Sequence, residues 1–502
     1  MTTKIYHPRI EIRAFKVVQR REIMPGRRTS SRYSEGDITE IDLTPFLGDG
    51  SSVRVVTDVK APAGAFAISV VDAPKSIKIG GDGKTVHVES LTYLLEPADL
   101  VEIRIAHDPS EYAKAEKGYR LPVIMRGVIS EVRRRRGVDG QGRPHRTVVI
   151  TGQNLIGRAW QALRIMYFNN HPLGDLTLST FKFLQKYDPD GDIARNPSTT
   201  EFMSGIIKPI IEEFLGNMKF WGKRLAREFS KVSVECTAQG RVQGMIANTF
   251  ESGSLYRFIA FLTDADSGLN ELYSESREDG EYIVLRSTPW RTPDRKFIQS
   301  GTPSIDVVEL TDDDIVSIES TRTDQGTANY FYAKSAAWWY GSDTALRLTS
   351  DLLPETDYPN NNPAIYGHRL LEADIALGPP DYEGSTDRIP VDQRETYDQS
   401  VMSWLADRRR ALQEATRDAA VFERGALVCR GNEKLRAGIF VRVKEGDLVY
   451  EVYAARVEHQ FTMFQGFTTV VHFERSDAFI QRSQRDVTPY WGEMTQKARG
   501  LK

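Results

Sequence analysis

The sequence predicts a mixed, β-rich α+β fold, with two antiparallel β-barrel domains separated by a helical insertion and a small α/β domain. Three observations point there. Short β-branched runs with alternating apolar residues fill both ends of the chain. Between them the apolar spacing changes to i, i+3, i+4 and i+7. And 502 residues are several times a typical domain of roughly 150, so more than one core is expected.

Residues 1–155 read as a first barrel with an N-terminal arm. Ile10, Ile12 and Phe15 open an alternating stretch, and residues 20–37 are polar and basic, an exposed arm. Val53, Val55 and Val56 precede a second run at 65–71, with Gly64 and Pro74 as punctuation. Val101, Ile103 and Ile105 alternate strictly with Glu102 and Arg104, which predicts one apolar and one polar face. Residues 121–132 and 147–152 flank a polar stretch with Asp139-Gly140 and Gln141-Gly142, a long hairpin with a basic tip.

Residues 156–250 read as a helical insertion. Ser198 and Glu201 make a capping box. Met203, Ile206, Ile207, Ile210, Ile211, Phe214 and Leu215 form an apolar stripe, which Pro209 should kink or divide. Residues 251–340 suggest a small α/β domain: a helix from Leu255, strands around the turn Ser276 to Gly280, and two more strands near 315–320 and 329–333. Residues 341–391 hold six prolines and Asn360 to Asn362, an extended insertion without regular structure. Residues 392–480 supply a long helix, about 395–423 with Gly425 as its stop, then the strands of a second barrel. Residues 481–502 are a C-terminal tail.

Composition narrows the function. Lys+Arg 66 against Asp+Glu 69 leaves a net charge of −3, unlike a nucleic-acid coat. Apolar residues at 40% and charged residues at 27% are an ordinary globular balance. Two cysteines, Cys236 and Cys429, argue against a disulfide framework or a cysteine zinc site. No apolar run is long enough to span a membrane, and residues 1–8 lack the apolar core of a secretory leader.

Chemistry-bearing patterns are sparse. P-loop, dinucleotide, nucleophile-elbow and zincin motifs are all missing. His459 and His472 lie on adjacent predicted strands. A turn centred near Gln465 sets His459 against Val471, so the two imidazoles point to opposite faces. Asp188, Asp190 and Asp192 begin like a calcium loop, but Ile193 and Thr199 replace the glycine and glutamate it needs. Asp312 to Asp314 reads as a turn or cap. Glu212 and Glu213 are adjacent on a helix and diverge, so they are a poor acid/base pair. The basic run Arg133 to Arg136, with Arg143, His145 and Arg146, suits a solvated tip or an acidic partner better than nucleic acid, since interleaved aromatics are missing. No catalytic, cofactor or metal residue is assigned.

Four stretches, in order, resemble the central baseplate hub family of bacteriophage tails, shared with type VI secretion spikes. The first comprises 97–105 (PADLVEIRI), 122–129 (PVIMRGVI) and 147–155 (TVVITGQNL). The second is 270–290 (NELYSESREDGEYIVLRSTPW), and the third is 320–331 (STRTDQGTANYF). The fourth comprises 435–438 (LRAG), 450–461 (YEVYAARVEHQF) and 466–475 (GFTTVVHFER). The inserts 156–250 and 341–391 and the arm have no counterpart.

The resemblance implies two tube-like barrels per subunit and a homotrimer. Six barrels would ring a channel and join a sixfold tail tube to a threefold central spike. It implies tube or distal tail, spike, tape measure and other baseplate proteins as partners, with DNA passing through without specific binding. Subunit interfaces of roughly 2,000 Å² would suit an obligate assembly. The location implied is the virion tail baseplate, assembled in the bacterial cytoplasm, and no enzymatic activity or cofactor is implied. Val101, Ile103 and Ile105, with Glu102 and Arg104 between them, have the alternation that a polar channel face needs.

A secretion or tailocin spike hub shares this architecture. Few residues follow the last matched strand, so a spike tip is expected on a separate polypeptide. The alternative of another class is a tail-associated cell-wall hydrolase seated in the helical insert, among Asp175, His171, Glu201, Glu212, Glu213 and Glu228. A DNA-binding module on the basic hairpin is a third reading.

Overall fold

Two half-sheets meet along one antiparallel seam. The computed structural model describes residues 7–16, 22–24, 27–28, 40–79, 84–112, 121–138, 144–166, 196–216, 231–243, 252–335, 358–381 and 393–483.

The N-terminal half contains β1 (Arg9–Phe15), β2 (Glu40–Asp42), β3 (Ser52–Asp58), β4 (Ala65–Val71) and β5 (Lys75–Ile79). It continues with β6 (Lys84–Val88), β7 (Leu100–Ala106), β8 (Val123–Val138) and β9 (Pro144–Asn154). They pair in the order β3-β4-β9-β8-β7-β1-β2-β5-β6. Alternation places Ile12, Val53, Val55, Ile68, Ile103 and Ile150 in one fully buried core. Phe66 crosses Gly127 and Gly152 there, and a Cβ at either would overlap its ring.

The middle of the chain forms a separate core. After α1 (Leu155–Ala162), a helix over 199–216 (α2) starts at the expected capping box, with Ser198 accepting from the Glu201 N–H. Pro209 does not divide it. The helix widens to a π turn over Phe202–Ile207 just before the proline. β10 (Val232–Cys236), α3 (Leu255–Leu262), β11 (Asn270–Arg277) and β12 (Gly280–Ser287) follow. β12 pairs antiparallel with β11 and parallel with β10. Trp160, Phe202, Ile207, Phe258 and Leu272 bury against one another in this core.

β13 (Val307–Thr311) and β14 (Ile315–Thr321), which the sequence groups with the middle, instead pair with C-terminal strands. β15 (Tyr330–Ser335) runs parallel to β16 (Leu370–Ile375), inside the segment where prolines predict no regular structure. Pro363 there begins a single helical turn capped by Asn362, a position where proline's missing N–H costs nothing.

The helix α4 spans Arg394–Thr416, shorter than expected. Val401, Trp404, Leu405 and Leu412 face the middle core, and Ala415 is buried. Gly425 is not its stop. It lies in β17 (Glu423–Arg430), where a Cβ would overlap the Glu319 carbonyl on β14. β18 (Phe440–Glu445), β19 (Leu448–Thr462), β20 (Gly466–Ser476) and α5 (Ala478–Ser483) complete the C-terminal half.

β19 is long enough to serve two neighbours. Its first part pairs with β18. Its second part lies between β20 and β3, with Ser52 opposite Thr462 and Asp58 opposite Arg456. One fifteen-stranded sheet results. The β-rich α+β class is as expected, but neither half closes into a barrel among the described residues. In the N-terminal half the edge strand β3 is hydrogen-bonded to the second part of β19, so it does not seal that half. Phe461 and Phe467 from the C-terminal half pack into the N-terminal core and reinforce the joint.

Candidate functional site: a polar clasp between the half-sheets

The β11–β12 hairpin touches both halves, its turn against one and its base against the other. At the turn, Glu102 and Arg104 are buried rather than lining a solvent channel. That corrects the expected polar face of β7, because the hairpin covers it.

Arg104 Nε donates to Glu102 Oε1 at 2.6 Å, and Arg126 Nε donates to Glu102 Oε2 at 2.9 Å. Arg126 also donates to the Arg277 and Glu278 carbonyls at 2.7 and 3.2 Å, and reaches Glu281 at 3.4 Å. Ser276 Oγ accepts from the Arg126 N–H and donates to Glu281, both at 3.0 Å. Burial opposes the charge of Glu102, but hydrogen bonds and charges from Arg104 and Arg126 outweigh it and hold its pKa below the usual range. Burial dominates at Glu281, whose carboxyl is pushed up to about 7.

At the base, Arg286 Nε donates to Glu271 Oε2 at 3.1 Å, and its Nη2 donates to the Gly438 carbonyl at 2.6 Å. The Tyr453 hydroxyl donates to Glu271 at 2.6 Å. Burial raises the pKa of both Glu271 and Tyr453. β11 and β12 therefore carry one buried arginine–glutamate pair to the C-terminal half and meet another from the N-terminal half.

A third tie joins the halves directly. His107 Nδ1 lies 2.8 Å from Glu433 Oε2, and the Tyr112 hydroxyl donates to Glu433 Oε1 at 2.6 Å. The hydrogen bond to Glu433 raises the His107 pKa. These groups satisfy one another inside the protein. The arrangement holds the surfaces at fixed register.

The residues singled out by sequence lie apart from this clasp and from one another. His459 is buried, with Nε2 at 3.1 Å from the Leu435 carbonyl and Nδ1 at 3.0 Å from Thr469 Oγ1. Burial lowers its pKa to about 4, so it is a neutral core histidine. It sits opposite Thr469, not Val471, because the turn centres one residue earlier, on Phe464. His472, opposite Arg456, is on the other face as expected.

Asp312 and Asp314 accept from the Gly446 and Thr311 N–H groups in the turn between β13 and β14. Glu212 lies 3.7 Å from Lys208 on α2, and Glu201 is spent on the capping box. Arg133 to Arg136 and Arg146 are exposed on the β8–β9 hairpin, with Arg134 held 3.0 Å from buried Asp72. The His145 backbone is in β9, opposite Gly137. Arg143, Asp175, His171, Glu228 and Asp188 to Asp192 lie outside the described residues. Among the described residues, no group of three or more His, Cys, Asp or Glu could hold a metal ion, and no helix is long and apolar enough to cross a membrane. Sequence reasoning missed the clasp. Its signal was the isolated charges Glu102, Arg104, Arg126, Glu271 and Arg286 inside apolar strands.

No family model matches the chain, and no curated protein matches it. Solved structures do. A 43 kDa tail protein of prophage MuSo2 from Shewanella oneidensis is 12% identical, with a TM-score of 0.44 over 94% of this chain and 99% of that one. A tail protein from Neisseria meningitidis is 10% identical, with a TM-score of 0.40 over 87% and 97%. An Escherichia coli type VI secretion component is 7% identical, with a TM-score of 0.32 over 85% and 73%.

Proposed function

We propose that this chain is the structural hub of a phage tail baseplate, acting as a trimer that joins a sixfold tube to a threefold spike around the DNA channel. One observation carries the reading. Each chain supplies two strand-rich halves, fused through the β3–β19 seam and clamped by one hairpin. Three copies would present six such halves, the number that a threefold-to-sixfold adaptor requires. The four ordered stretches of sequence resemblance support the same reading. Its partners would be the tube or distal tail protein, the spike and other baseplate proteins, with no catalytic step.

A symmetry adaptor must transmit load without letting its two halves shear. A buried, fully satisfied polar network suits that task, because sliding by one residue would strand charges away from water. The secretion-spike hub is the reading of the same architecture in another particle.

Solution mass with negative-stain imaging tests the proposal. A ring with a central hole near three times 56.7 kDa is expected, alone or with spike and tube proteins added. A chain that stays monomeric with both partners present overturns it.

A further inference from the structure

A cavity of about 430 Å³ opens where the middle domain meets the C-terminal half and Lys60 of the N-terminal half. Its size and mainly apolar walls are those of a small-molecule or side-chain pocket. Tyr256, Trp290, Phe422 and Phe440 supply aromatic surface.

The charges on its wall are paired, with one cationic exception. Arg291 holds Glu451 at 2.5 Å, Arg295 holds Asp477 at 2.6 Å, and Lys60 holds Glu474 at 2.6 Å. Arg475 has no carboxylate within ion-pair distance among the described residues. Its two terminal nitrogens donate to the Ala415 and Arg291 carbonyls at 2.6 and 2.7 Å. Its Nε–H is enclosed without any acceptor. The guanidinium stacks on Phe422, 4.3 Å from the ring centroid. Burial lowers its pKa to about 10, outweighing the more distant charges of Asp418 and Glu474.

The backbone supplies an independent sign. Arg475 and Arg295 hold φ at +53° and +61°, the left-handed region that side-chain-bearing residues seldom occupy. Strain of this kind collects at binding sites, where the surroundings over-determine a side chain's position.

From these features we infer that the cavity binds an organic carboxylate with an apolar or aromatic body, its carboxylate on Arg475 and its body among the aromatic side chains. Each terminal nitrogen of Arg475 gives one N–H to a carbonyl and carries a second, and a guanidinium on the cavity wall suits a carboxylate. Of the wall carboxylates, Glu271, Glu451, Glu474 and Asp477 already hold cations or a phenol and present little free negative charge. Asp266 is the remaining carboxylate, and burial raises its pKa, which moderates its repulsion. A free small acid and the C-terminal carboxylate of a polypeptide offer the same chemistry.

The test is titration calorimetry on the full chain with phenylacetate and its neutral isostere phenylacetamide. A parallel pair is a short phenylalanine-terminated peptide with a free or an amidated C-terminus. The acid form of at least one pair should bind about tenfold or more tightly than its amide, a preference that Arg475→Gln removes. Binding by the peptide acid alone identifies a chain end as the source, whereas binding by phenylacetate shows that a free acid suffices. Equal binding of acid and amide, or no binding in either pair, overturns the inference. Should Arg475→Gln not fold, Trp290→Phe locates the site. The fluorescence change on adding the binding acid should vanish in that variant, and its persistence overturns the assignment.

Discussion

The two ends of the β11–β12 hairpin solve one problem in different ways. Its turn meets the N-terminal half through four buried charges, Glu102, Arg104, Arg126 and Glu281. Its base meets the C-terminal half through one ion pair, a phenol and a backbone carbonyl. At the turn, Arg126 is the hub, since it meets two carboxylates and three carbonyls. At the base, the duties are shared, so no single side chain is the sole partner of Glu271. The contrast teaches that a buried charge serving many partners is a costlier loss than one partner among several.

Removing the hub should be the most damaging change. Arg126→Ala leaves Glu102 with Arg104 alone and Glu281 with only the Ser276 hydroxyl in a low-dielectric interior, and a loss of about 3–5 kcal/mol in urea-denaturation stability is expected. Tyr453→Phe takes one hydrogen bond from Glu271 and leaves Arg286 in place, so about 1–3 kcal/mol is expected. If the tyrosine variant proved the weaker fold, the hub-and-shared distinction would fail.

The direct tie through His107 sharpens the comparison, because it titrates. The hydrogen bond to Glu433 raises the His107 pKa, with Glu111 adding to the effect and Lys434 opposing it. A raised folded value means the stabilisation is complete below the ordinary 6.5 and fades as pH rises through the folded value. Glu433 has the opposite sign. Burial opposes its charge, but His107 and Tyr112 prevail and lower its pKa. Its contribution is present above the ordinary 4.5 and is lost as pH falls through the lowered value. Glu281, raised to about 7, also favours the folded state as pH falls from 8 toward 5. Burial likewise raises Asp264 to about 7, so the wild-type slope mixes all three groups, and the difference from His107→Gln isolates the histidine. That difference should be about 1–2 kcal/mol at pH 6 and shrink by pH 9. A constant difference across that range would show that the imidazole's charge plays no part.

Much of this architecture was legible in the chain. Period-two alternation located β1, β3, β4, β7 and the strands near 450–473, because one apolar face per strand is a local property. Ser198 and Glu201 marked the start of α2 for the same reason. What could not be read depends on distant partners. The polar face of β7 looked like a solvent-facing row until a hairpin some 170 residues later covered it. Gly425 had the look of a helix stop, yet its missing side chain makes room for a carbonyl on β14. Closure was not legible either, since strand content does not say which edges pair. The basic hairpin was legible as exposed charge, and the clasp was not, because a buried arginine and a surface one carry the same letter.

The seam should show the smallest response, and the reason lies in how it is built. Arg54 Nη2 donates to Glu458 Oε2 at 2.6 Å across β3 and β19, the most conspicuous side-chain bond on the joint. Yet the arginine side chain is 52% exposed, so water already solvates it and salt screens the pair. The backbone register from Ser52 to Asp58, with Phe461 and Phe467 buried beneath, holds the strands without it. Arg54→Ala should cost only about 0.2–1 kcal/mol, and less at 1 M salt than at low salt. A loss as large as that of Tyr453→Phe would mean that the halves are joined at the seam by charge rather than by the ladder and its apolar floor. The hairpin clasp would then be the secondary fastening.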